Sequence, residues 1–263
     1  MILILTLAFY SMVNCNNQTK EENKKIREQK DSLRFNNNSK ADTQKIIEIN
    51  PKNVEESTIY YCWGIIKDSL KDYEGAISYF TRAIEINPRN MEAYYSRGIA
   101  KNFLKRYIEA ISDYNKALDI LRINVEEVNN EFPKNADIKL GAKIALSEFS
   151  KDLFYNKAIA DFNLKDYLNS IADYSKALEI DPKFAMAYVN RGEARGFLKD
   201  YYCVIDDCTK AIEINSKLAE AYFVRGYAKI ELEQEDEGFL DLSKAGELGY
   251  KVPDEIIKEY CHY

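Results

Sequence analysis

The 263-residue chain carries 37 Lys and Arg against 43 Asp and Glu, a net charge of −6, and combines 20 Tyr with 1 Trp and 1 His. An apolar share of 46% beside 30% charged residues describes a folded protein, and the acidic balance excludes a phosphate-binding surface of clustered Lys and Arg. The lone His262 stands next to the C-terminal residue, so catalytic triads and His-based zinc sites lack their parts.

Residues 1–13 form an uncharged apolar run. It is shorter than the roughly 20 residues a membrane-spanning helix needs, but it has the length of a signal-peptide core. The run ends in Met12-Val13-Asn14-Cys15, which resembles the lipobox of bacterial lipoproteins. That resemblance implies a lipid on Cys15, hence a lipid-anchored protein of the bacterial cell envelope with residues 1–15 as its signal segment. A plain export signal and a cytoplasmic chain with a different start are the alternatives. Residues 16–44 are rich in Asn, Lys and Glu and read as a polar tether.

From residue 45 onward a fixed interval governs the sequence. Gly64 and Gly98 lie 34 residues apart, as do Gly192 and Gly226, Tyr60 and Tyr94, and Tyr188 and Tyr222. Ala83 and Ala117 repeat the step, and Ala177, Ala211 and Ala245 extend it. Each period reads as two amphipathic helices. In 91–124 one stripe holds Tyr94, Arg97, Gly98 and Lys101. A polar break at Lys105-Arg106 follows, and a second stripe holds Ala110, Ile111, Tyr114, Ala117 and Leu118. Small residues fall where paired helices must approach closely. Asn50-Pro51, Asn87-Pro88 and Asp181-Pro182 stop the second helix, because Pro lacks an N–H and disfavours helix in the residue before it. Arg122 and Ser216 replace that Pro elsewhere, so those helix ends are expected to run on or to be softer.

This pattern resembles the tetratricopeptide repeat (TPR) family. Five units match, at 57–90, 91–124, 151–184, 185–218 and 219–252, after a degenerate half-repeat that ends at Pro51. The resemblance implies an all-α TPR solenoid of five helix pairs over 45–263. Residues 254–263 then form a capping helix over the exposed face of the last repeat. The spacing also locates a 26-residue insertion at 125–150, whose apolar residues keep helical steps. It is expected as two lengthened helices in a projecting hairpin, either a tolerated insertion or a partner-contacting finger.

In TPR solenoids the first helices face a concave groove that takes peptides or partner helices. Carried over, the groove places are Tyr61, Ile65, Tyr95, Ile99, Phe103, Tyr155, Ile159, Asn163, Val189, Glu193, Phe197, Phe223 and Tyr227. Asn156 and Asn190 stand where some family members hold a peptide backbone. The resemblance thus implies a non-catalytic, monomeric scaffold for a protein or peptide partner, with no nucleic acid, no cofactor and no membrane contact beyond the N-terminal anchor. An accessory factor of an envelope-assembly or glycan-associated complex is the alternative. Arg97, Arg191, Arg225 and Lys157 form a basic series beside the groove, open either to an acidic ligand or, preferably, to intramolecular pairing. Asp113, Asp206 and Asp207 on second helices read as outer-face charges, and Glu231, Glu233, Glu235, Asp236 and Glu237 as a solvated turn. Cys62, Cys203, Cys208 and Cys261 read as structural, with Cys208 buried in place of an aromatic.

Overall fold

The computed structural model describes residues 51–131 and 136–252. Cys15, the lipobox-like segment, the tether, residues 45–50, the turn at 132–135 and the capping segment 254–263 lie outside the described residues. Among the described residues there are ten helices and no strand: α1 Pro51–Ser69, α2 Tyr73–Ile86, α3 Met91–Phe103, α4 Tyr107–Glu131, α5 Ala136–Asn163, α6 Tyr167–Ile180, α7 Ala185–Phe197, α8 Tyr201–Ile214, α9 Ala219–Ile230 and α10 Glu235–Glu247. The architecture is the all-α TPR solenoid that the period predicts. Two compact units divide between Arg106 and Tyr107.

In the first unit, α2 packs against both α1 and α3. Its Phe80 is fully buried with Ala76 and Ala100, beneath Tyr61, Ile65 and Tyr73. A Cβ on Gly64 would collide with the Phe80 ring, which explains a small residue at this helix crossing. Replacing Phe80 with Ala would leave a cavity costing about 3–5 kcal/mol. At the next junction Asn90 caps α3 by accepting from the Ala93 N–H (2.9 Å). Its side-chain amide donates to the Ser57 hydroxyl (2.9 Å), which donates to the Ala83 carbonyl (2.8 Å).

In the second unit, α5 pairs with α6, α7 with α8 and α9 with α10, while α6 touches α7 and α8 touches α9. The described residues of the 26-residue insertion lie in the extensions of α4 and α5, which run 25 and 28 residues where the other helices of this unit run 12–14. The core is a series of small clusters: Ala158, Tyr174, Leu178 and Ala187; then Val189, Ala211 and Ala221; then Val204, Cys208 and Ala228. Cys208 is buried and unbridged, and burial pushes its thiol well above the ordinary range.

The turns explain where helices stop. After the first helix of each described hairpin the backbone turns left-handed at Lys71, Lys105, Lys165, Lys199 and Glu233, with φ of 60–63°. The N–H one residue later then reaches back five residues, as in Asp166 to Asp161 O (2.9 Å) and Gln234 to Lys229 O (2.9 Å). This is the Schellman termination, whose left-handed place normally favours Gly. Among the described residues only α10 supplies one there, Gly249, with φ of 91°.

Second helices stop differently. Asn87, Asp181 and Asn215 each accept, through Oδ1, the N–H two residues on, at 3.1, 2.9 and 3.1 Å. The side chain supplies the turn, so Pro is dispensable. This corrects the expectation at Ser216: α8 ends at Ile214 as cleanly as α2 ends at Ile86 and α6 at Ile180. At Arg122, where no Asn or Asp stands in the stop position, α4 does run on.

Candidate functional site

The first helices of the second unit, α5, α7 and α9, carry two sets of charges. Behind them Arg191 makes a forked pair with Asp207 (Nε to Oδ2 3.0 Å, Nη2 to Oδ1 2.6 Å), joined by Arg195 (2.7 Å). One repeat later Arg225 forks onto Asp241 (2.8 and 2.7 Å), joined by Lys229 (2.7 Å). Lys157 bonds Asp173 and Asp161 in the same manner. Arg191 and Arg225 also donate Nη1 to a hydroxyl of the preceding second helix, Arg191 to Ser175 (3.0 Å) and Arg225 to Thr209 (3.1 Å). Their guanidinium groups stack over Tyr188 and Tyr222, each 5.5 Å from the ring centroid.

The basic series is therefore structural in this unit, which resolves it toward intramolecular pairing. The hydrogen bond to Asp241 holds the Arg225 guanidinium above its ordinary pKa. The outer-face reading of Asp113 and Asp207 is wrong: they are only 4% and 3% exposed, and Asp206 alone faces solvent. Sixteen residues separate Arg from Asp, so a reading confined to one helix misses the pair.

In front of the helices the aromatics divide by role. Tyr155 lies against Phe184 (centroids 4.5 Å) and Tyr174 (5.7 Å), and its hydroxyl accepts from the Asn190 amide (3.0 Å). Burial raises its phenol pKa, partly offset by that hydrogen bond. The Asn156 amide donates to the Asp152 carbonyl of its own helix (2.9 Å). Val189 is buried with Ala211 and Ala221 and is not a groove residue. Phe197 is 58% exposed but stacks one face on Tyr167 (4.7 Å, 5° between planes). Phe223 stacks on Tyr250 (4.5 Å), and Tyr227 is open to solvent.

A cavity of about 320 Å³ opens between α7 and α9. Buried Val204 and Ala228 lie in its floor, Phe197, Tyr201, Phe223 and Tyr227 in its walls, and Glu193 at its side. Glu193 keeps its surface open, yet protein atoms crowd it within the recess, and this burial, helped by the Glu220 charge, raises its carboxyl above the ordinary range. Burial and the same two carboxylates also raise the Tyr250 phenol. Neither Glu193 nor Glu220 has an ion-pair partner among the described residues.

The first unit presents Tyr61, Tyr95, Ile99 and Phe103 on α1 and α3. Tyr61 is half-buried against Phe80 (5.8 Å), and Phe103 stacks on Tyr73 with the geometry of the Phe197–Tyr167 pair (4.7 Å, 5°). Tyr95 and Ile99 are half-buried.

Phe197, Phe223 and Tyr227 are thus brought together, while Tyr155 and Asn190 bond each other beside them. Sequence reasoning passed over Gly196, Glu220 and Tyr250, yet a signal for the cavity was present. Glu193 occupies the place of Ile65, Ile99 and Ile159, and Gly196 the place of Phe162 and Ile230, each an exact multiple of the repeat once the insertion is removed.

Family models described as tetratricopeptide repeat match residues 57–90, 79–112 and 152–184. No curated protein matches the chain. Among solved structures, one of MamA protein aligns over 78% of this chain and 96% of its own length, with 21% identity and a TM-score of 0.59. YrrB, described as a TPR protein with an unusual peptide-binding site, aligns over 80% and 95% at 18% identity and a TM-score of 0.58. MamA 41-end from Desulfovibrio magneticus RS-1 aligns over 74% and 95% at 17% identity and a TM-score of 0.59. At these identities the likeness speaks for the fold alone.

Proposed function

We propose that the chain, three segments of which match tetratricopeptide repeat models, is a non-catalytic TPR scaffold that binds a protein or peptide partner on the first-helix face of α5, α7 and α9. The cavity lined by Phe197, Phe223 and Tyr227 carries this reading. Concave, mostly apolar recesses with a few polar groups are where ligands bury area, and aromatic side chains recur as binding hot spots. Stacked helices keep such a surface preorganised, which reduces the entropy lost on binding. The peptide-binding site of the structurally similar YrrB is consistent with this use of the fold.

The test is affinity capture of partners by the full chain and by a Phe223→Ala/Tyr227→Ala double variant of unchanged helicity. Loss of a stoichiometric protein partner in the variant supports the reading. Undiminished capture, or retention of glycan with no protein partner, contradicts it.

The same proposal places the scaffold at a membrane through Cys15. No described helix is long and apolar enough to cross a membrane, and acyl chains contribute about 0.8 kcal/mol per buried CH₂. Cys15→Ala should move the protein to the soluble fraction; unchanged membrane association removes the tether from the proposal.

A further inference from the structure

We propose, on the basis of the groove reading above, that the cavity between α7 and α9 receives a lysine or arginine side chain from a basic segment of the partner. The shape comes first. Gly196 leaves open the space that Phe162 and Ile230 occupy with side chains at the equivalent places, and the nearest atom to a Cβ built on Gly196 is Val204 Cγ2 at 3.8 Å. At about 320 Å³ the recess takes one long side chain and sits at the small end of ligand pockets.

The walls suit a long cationic side chain. Phe197, Phe223 and Tyr227 offer apolar surface to its methylene stem and ring faces to its charged head.

The sign of the charge settles the choice of ligand. All four cations of α7 and α9, Arg191, Arg195, Arg225 and Lys229, are bonded to Asp207 or Asp241 behind the helices. None is left to receive a carboxylate or phosphate in the groove. Glu193 at the side of the cavity and the exposed Glu220 near it have no ion-pair partners among the described residues, and Glu193 replaces the Ile found at three equivalent places. An anionic or purely apolar guest would leave the crowded Glu193 carboxylate uncompensated, whereas a cation compensates it.

The experiment is fluorescence anisotropy with the full chain and short labelled peptides that alternate Ser with Lys, with Glu or with norleucine. The Lys peptide should bind best, and Glu193→Gln and Gly196→Leu should each weaken it at least about tenfold. Glu237→Gln removes the same charge from an exposed site outside the cavity and should leave the affinity unchanged. Circular dichroism confirms that each variant is folded. Equal binding of the Lys and norleucine peptides overturns the proposal, and so does equal weakening by Glu193→Gln and Glu237→Gln, which marks diffuse attraction to an acidic protein. If no Lys peptide binds while Phe223→Ala/Tyr227→Ala still abolishes partner capture, the basic-ligand inference fails and the groove reading stands.

Discussion

Arg191 and Glu193 are two residues apart on α7 and meet opposite circumstances. Behind the helix, Arg191 and Arg195 converge on one buried carboxylate, and the pattern returns one repeat later with Arg225 and Lys229 on Asp241. In front, Glu193 lines an aromatic recess with the exposed Glu220 charge near it, and neither has an ion-pair partner among the described residues. The rear charges fasten a first helix to its neighbouring second helices, so their sign says nothing about a ligand. Only the charge left over in front can select one. A basic stripe on a repeat protein is therefore weak evidence of an acidic partner until the pairing behind it is known.

The sharpest way to break this contrast is to remove a rear acceptor. Asp207→Ala strands two cations in a largely buried place, and stability in urea should fall by about 3–5 kcal/mol. A loss below about 1 kcal/mol would mean that the rear charges do not hold the repeats together.

Next come the helix crossings. A Cβ on Gly226 would lie 2.8 Å from the Gly238 carbonyl oxygen, a backbone atom that cannot swing aside, whereas on Gly192 its nearest neighbour is Cys208 Sγ at 3.4 Å. Gly226→Ala should cost about 1–3 kcal/mol, and Gly192→Ala should stay within about 0.5 kcal/mol, both read by chemical denaturation.

The left-handed turns predict a gain. Lys199→Gly relieves a strained φ of 62° and should stabilise by about 0.5–1 kcal/mol, measured as a rise in Tm.

The smallest effect is at Glu193. Its carboxyl pKa is raised in the folded chain by burial and by Glu220. The resulting cost to stability is complete above the folded-state pKa and vanishes below the unfolded-state value. Glu193→Gln should therefore stabilise slightly at neutral pH, with the gain disappearing as pH falls through the carboxylate range. A gain independent of pH would show that the carboxylate is not strained by its surroundings.

The helix pairs were legible because a 34-residue period with small residues at fixed places admits one fold class. The stop at Ser216 was misread because Pro was credited with work that Asn215 does through its own side chain. The turn lysines were overlooked because a left-handed place is sought as Gly, although Lys71 and Lys105 keep the period, as do Lys165 and Lys199. The Arg–Asp forks join residues of two helices and appear in sequence only as a recurring interval of 16. The cavity was legible in principle, at Glu193 and Gly196, where one repeat departs from its siblings. Departures from a repeat mark function, and agreements mark framework.

The most direct test is a charge reversal in the recess. Glu193→Lys, titrated by anisotropy against the alternating Lys and Glu peptides, should invert the preference of the wild-type chain from the Lys to the Glu peptide while helicity is unchanged. An undiminished preference for the Lys peptide would contradict the assignment of the unpaired front carboxylate as the group that selects the ligand.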